Sequence, residues 1–139
     1  MPRLLSTSAS VRRRLALGAA ALTSLTAAGT VLAPPAQAAW TTGSKMNGVK
    51  VQVCKVPLGG GEVRVRVRLD NRASDEVYRG SLMRLSGGSG TVTVRAAGGT
   101  ISGTKSLVVK PGNMMGTGIG SPRGDHGSAI GYARDLARC

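Results

Sequence analysis

The feature that most constrains this chain is a two-residue rhythm. Val63, Val65, Val67 and Leu69 alternate with Arg64, Arg66 and Arg68. Successive side chains of a strand point to opposite faces, so this run has one wholly aliphatic face and one wholly cationic face. A helix would scatter the same residues around its circumference. The rhythm returns in Val49, Val51 and Val53, in Val92 and Val94, and in Leu107 and Val109. Each run reads as a strand with one face in a core and the other in water. Gly80–Leu85 is a less regular strand, with Arg84 between Met83 and Leu85.

Turn residues separate the runs: Pro57 to Gly61, Asp70 to Glu76, Gly87 to Gly90, Gly98-Gly99 and Pro111-Gly112. Gly98-Gly99 fits a two-residue hairpin, and Pro111-Gly112 fits a type II turn. Short strands between Gly-rich turns predict an all-β fold. The expected architecture is a small single-domain β-sandwich of about 6–7 antiparallel strands, immunoglobulin-like or related. The stretch Gly112–Ser128 has no period and many glycines, and predicts a long loop across the end of the sandwich. For residues 128–134 a last strand is favoured, although Ala129, Tyr132, Ala133 and Leu136 also match a helical stripe. A chain of 139 residues is too short for an α/β barrel or a two-domain enzyme.

Residues 1–38 read as a cleaved signal peptide, leaving residues 39–139 as the folded domain. Arg3 and Arg12-Arg13-Arg14 form a basic region, Leu15 to Ala33 is uncharged, and Ala36-Gln37-Ala38 is an A-x-A cleavage site. An uncleaved anchor and a twin-arginine signal are the alternatives, and the longer twin-arginine consensus is missing. The expectation is an exported chain beginning near Ala39, with no stable membrane insertion after cleavage.

Two cysteines in an exported chain predict one disulfide, Cys54–Cys139. A bridge of that span is worth about 4–5 kcal/mol in the chain-entropy model. An intermolecular bridge is the alternative. Cys54 shares the parity of Lys50 and Gln52, so it should face outward or end its strand. The bridge would then tie the tail across an edge and would not be a central bond between sheets.

Catalytic and cofactor motifs are weak. Ser102-Gly103-Thr104-Lys105 spells S-x-x-K, but it lies in strand context without partner motifs. Gly116, Gly118 and Gly120 form G-x-G-x-G, yet Pro122-Arg123-Gly124 follows in place of a helix start. His126 is the only histidine, and Asp125, its neighbour on an extended backbone, should point to the other face. Arg123-Gly124-Asp125 is the integrin tripeptide, in a chain where Arg and Gly are common. No catalytic, cofactor or metal residues are expected, and the chain reads as non-enzymatic.

The unusual feature is charge. The whole chain carries 19 basic and 6 acidic residues, a net charge of +13. Arg64, Arg66 and Arg68 should stand about 6.6–6.8 Å apart on one strand face. Lys50, Arg95, Lys105 and Lys110 occupy outward positions on other strands. If those strands are neighbours, one sheet face is a cationic field for polyanions. The plain alternative is a solvated face that discourages edge-to-edge aggregation. With one Trp, two Tyr and no Phe, the chain has little with which to stack bases or sugars, so no specific nucleic-acid recognition is expected.

The Arg12-Arg13-Arg14 signal, the Ala36-Gln37-Ala38 site, the Val63–Leu69 strand and terminal Cys139 together resemble the small exported β-sandwich proteins of actinobacteria. The resemblance is one of style over the whole chain. It implies an extracellular location and carries over no catalytic residues. The expected function is a secreted, basic binding or structural module that associates with anionic cell-envelope polymers or a protein partner. The alternatives are an inhibitor of secreted hydrolases presenting the Gly112–Ser128 loop, and a cationic antibacterial factor.

Overall fold

A computed structural model describes residues 39–139, so the signal-peptide assignment for residues 1–38 lies outside the described residues. Nine strands run in order: β1 (Thr41–Met46), β2 (Val49–Pro57), β3 (Val63–Asn71), β4 (Tyr78–Arg84), β5 (Thr91–Ala96), β6 (Thr100–Ile101), β7 (Lys105–Val109), β8 (Met114–Gly120) and β9 (His126–Tyr132). They form two antiparallel sheets. The first runs β1-β2-β3, with β7 and β6 sharing the far edge of β3; the second runs β5-β4-β8-β9. The architecture is the expected β-sandwich, with more strands than the rhythm alone revealed.

The alternation does what the sequence implies. Val49, Val51, Val53, Val63, Val65, Val67 and Leu69 pack from the first sheet against Tyr78, Leu82, Val94, Ala96, Met115 and Ile119 of the second. Removing a Val or Leu side chain from water is worth about 1.5–3 kcal/mol. Asn71, fully buried, donates to the carbonyls of Glu76 and Ala96 at 2.7 and 3.1 Å and so ties β3 to the second sheet.

Three readings need correction. First, Gly112–Ser128 is not a loop. It supplies β8, the turn after it and the start of β9. In β8 the inner positions are Met115, Thr117 and Ile119, all buried, and the outer positions after Met114 are glycines. The rhythm is present, but Gly stands where a strand usually carries a polar side chain. What stays a loop is the exposed turn between β8 and β9, so an inhibitor would have only that turn of the stretch to present.

Second, Gly98-Gly99 does not close a hairpin. β5 pairs with β4, whereas β6 pairs with β3, so the chain here crosses from one sheet to the other. A Cβ on Gly98 would lie 2.2 Å from the Asp75 carbonyl oxygen, so the crossing needs glycine at this close approach. Third, Pro111-Gly112 is not a type II turn, because Gly112 lacks the positive φ that type II requires. The turn is closed by Asn113 N donating to Lys110 O at 3.0 Å. The two-residue hairpin is instead Asn47-Gly48 between β1 and β2, with φ of 49° and 83°.

The disulfide joins Cys54 to Cys139 across 85 residues, with 5.1 Å between the Cα atoms. Cys54 stands opposite exposed Arg66, on the outer side of its sheet as parity implied. It is nevertheless buried, because the tail lies over it. β1 pairs with β2 only as far as Val53. Beyond that point the tail takes the free edge: Lys55 N donates to Ala137 O and Cys139 N to Lys55 O, each at 2.9 Å. The bridge is therefore peripheral and closes the edge at which the first sheet would otherwise be open.

Candidate functional site

The outer surfaces of the two sheets carry the chemistry. On the first sheet, β3 is held between β2 and β7 along Val63–Val67, so its outer side chains project from a strand paired on both edges. Arg64 and Arg66 are exposed. No carboxylate pairs with either among the described residues, where the ion pairs are made by Arg72, Arg123 and Arg134. Arg68 is more enclosed. Its Nε donates to Gln52 Oε1 at 2.8 Å, and its guanidinium lies 4.2 Å from the Trp40 ring centroid.

Asp70 ends this row. Arg72 binds it through two 2.9 Å hydrogen bonds, Nε to Oδ1 and a terminal nitrogen to Oδ2. Lys50 stands directly across from it on β2. The Arg72 hydrogen bond holds the Asp70 carboxyl below its ordinary range, burial opposes that, and the Arg72 and Lys50 charges add to the lowering. Lys50 thus shares the arginine face but sits beside Asp70.

The rest of the expected basic set is elsewhere. Arg95 projects from β5 in the second sheet, on the opposite side of the sandwich from Arg64, Arg66 and Arg68. Lys105, the first residue of β7, stands opposite Val67 on the inward parity of the strand and is exposed. Lys110 follows β7 on the outer parity of Val108. The single cationic field is therefore divided between two faces. Strand pairing decides that division, and nothing local to Arg95 records it.

On the second sheet the outer residues of β8 are Gly116, Gly118 and Gly120, which leave a trough along the strand. Arg79 and Ser81 of β4 and His126 and Ser128 of β9 rise on either side. The resulting groove has a volume of about 630 Å³. The sequence signal for it was the G-x-G-x-G run, once that run is placed on a strand.

The remaining motifs are occupied with local structure. Ser102 Oγ accepts from Leu69 N at 2.8 Å and donates to Gly103 O at 2.9 Å, in extended chain beside β3. Arg123 binds Glu76 Oε1 through two nitrogens at 2.6 and 3.1 Å, which raises its already high pKa. Ser121 Oγ donates to Asp125 Oδ2 at 3.2 Å, so Asp125 closes its own turn and does not orient His126. Compared with known proteins, the chain matches no family model, no curated protein and no solved structure. What fold and site define is an all-β sandwich with a disulfide-tied tail and cationic groups on both outer faces.

Proposed function

We propose that the protein is an exported, non-catalytic binding module that associates electrostatically with anionic cell-envelope polymers through Arg64, Arg66 and Arg68. The observation that carries this reading is the placement of Arg64, Arg66 and Arg68 at alternate outer positions of β3, with Arg64 and Arg66 on its doubly paired stretch and free of carboxylates among the described residues. Residues 39–139 hold 15 of the 19 basic and all 6 acidic residues, a net +9. Such a field favours long anionic partners and makes binding salt-sensitive.

Export is supported by the basic, apolar and A-x-A order of residues 1–38 and by the disulfide, which fits an oxidising compartment. No helix among the described residues is long and apolar enough to cross a membrane. N-terminal sequencing of the protein from culture supernatant should find Ala39 or a residue beside it.

The binding test is salt-reversible retention of the purified protein on isolated cell walls. Changing Arg64, Arg66 and Arg68 together to Ser should weaken retention and flatten its dependence on salt, because fewer counterions are released. Equal retention of variant and parent at low and high salt would make the row a solubility device.

A further inference from the structure

The groove on the second sheet has its own electrostatic problem. Arg79 and Arg95 are register partners on β4 and β5, so their side chains leave adjacent strands directly across from one another. Cβ atoms in such pairs are about 4.5–5.5 Å apart, and like charges placed this way repel. No carboxylate among the described residues makes a close ion pair with either one. Of the two acids just before β4, Glu76 is engaged by Arg123, and Asp75 forms no ion pair with either arginine. The guanidiniums that stack on aromatic rings are those of Arg68 and Arg134.

Around this pair the surface is concave and rich in hydroxyls. Ser81 and Thr93 are themselves register partners and lie on the same outer face, two residues along from Arg79 and Arg95. A second hollow of about 440 Å³ shares Arg79, Thr93 and Arg95 and continues to Lys105. Positive groups thus run from Lys105 past the arginine pair into the groove that His126 borders. From β9 to β5 the face spans three strand spacings, about 14–15 Å.

We propose that this groove binds an extended chain of phosphate groups, with one phosphate seated between Arg79 and Arg95. An internal phosphate of such a chain keeps a full negative charge and two non-bridging oxygens in a tetrahedral arrangement, able to accept from two guanidiniums and from flanking hydroxyls at once, and the chain repeats that unit along the groove. The glycine floor at Gly118 and Gly120 lets the chain lie close to the sheet. No Phe, Tyr or Trp lines the groove, so bases have only the His126 ring to stack on there. The site is separate from the arginine row, and binding there does not depend on the function proposed above. Where that function also holds, the two occupied faces let one molecule bridge two anionic chains.

Amide-resolved NMR titration of the purified protein with inorganic tripolyphosphate, and in a parallel arm with a glycerol-phosphate oligomer, tests the proposal. Saturable shifts are expected at Ser81, Thr93, Gly118 and Gly120. Changing Arg79 and Arg95 together to Ser should lower affinity about tenfold or more, by removing charge-assisted hydrogen bonds. That variant should keep the parent's dispersed spectrum, because it relieves a repulsion. The Arg64, Arg66 and Arg68 triple variant should keep the groove shifts and lose only those near Gln52 and Ser106. Saturable binding in the groove in either arm supports the proposal and tells inorganic chains from polyol phosphates. It is overturned by no groove shifts in both arms, by equal affinity in the Arg79/Arg95 variant, or by polyglutamate binding the groove as tightly as phosphate.

Discussion

The two sheets solve the same burial problem and expose opposite surfaces. β3 in the first buries Val63, Val65, Val67 and Leu69 and raises a guanidinium at each of three outer positions. β8 in the second buries Met115, Thr117 and Ile119 and raises nothing after Met114, because its other outer positions are glycines. Inner positions decide that each is a strand. Outer positions decide whether its surface is a ridge of charge or a trough. The cationic groups consequently act as a row on one face and as a rim on the other.

The severest way to break the comparison is to attack what the sheets share. Val65→Asp and Ile119→Asp each place a carboxylate at a position that is 0% and 3% exposed, respectively. Both should destabilise by several kcal/mol, on the order of the whole stability of a small domain. Urea denaturation followed by circular dichroism should show either variant largely unfolded in buffer. A folded Ile119→Asp protein beside an unfolded Val65→Asp protein would show that the second sheet is an accessory layer and not half of one core.

The disulfide distinguishes the sheets next. Only the first has an edge closed by the tail, through Lys55, Ala137 and the Cys54–Cys139 bond. Intact-mass measurement should show an intramolecular bridge. Changing both Cys54 and Cys139 to Ala should cost about 2–5 kcal/mol. Hydrogen exchange in that variant should rise first at Lys55 and Cys139, whose amides hold the tail to β2, and last in β4 and β8.

Legibility in the sequence follows the same division. β2, β3 and β5 announce themselves because both members of the alternation are distinctive, aliphatic inside and polar or charged outside; β7 does so through Leu107 and Val109, although Val108 stands exposed on its outer face. β8 alternates as strictly, but its glycines read as turn formers, so half its signal points the wrong way. β1 alternates in no obvious way: its buried position is Ser44, and its place depends on the Asn47-Gly48 turn and on pairing with β2. The arginine row was legible because it lies on one strand. The Arg79–Arg95 pair was not, since it is created by the β4–β5 register, a contact between residues 16 apart in sequence.

Outer-face changes should be milder, and they sharpen the contrast between ridge and trough. The Arg64, Arg66 and Arg68 triple change to Ser should move stability by no more than about 1 kcal/mol, as surface substitutions usually do. Gly118→Ala is the matching change in the trough. Its Cβ would lie 2.7 Å from Ser81 Oγ, a hydroxyl that can rotate away. Loss of glycine's backbone freedom offsets the crowding, so stability should again shift by less than about 1 kcal/mol. Tripolyphosphate affinity should fall, because the raised floor and displaced Ser81 narrow the groove. Thermal melts with and without ligand separate the two effects.

The smallest expected effect concerns Asp70, the acid at the far end of the arginine row. Its carboxyl is held below the ordinary range, first by the Arg72 hydrogen bond. A group whose folded pKa is depressed contributes stability that is present above its unfolded value and lost as pH falls through the folded value. The ordinary value here is 3.8, so the loss should begin near that pH and continue below it. Asp70→Asn should flatten that part of the acid-unfolding curve while leaving stability at neutral pH slightly lowered. It should also leave Lys50 and Arg72 without their acid, extending the positive row by two cations. Under the proposed function, retention on anionic polymers should then increase modestly at low salt. The second sheet's groove has no carboxylate among its lining residues, so its tripolyphosphate affinity should not change. An Asp70→Asn protein with tighter groove binding and unchanged wall retention would mean that the two faces are not electrostatically separate.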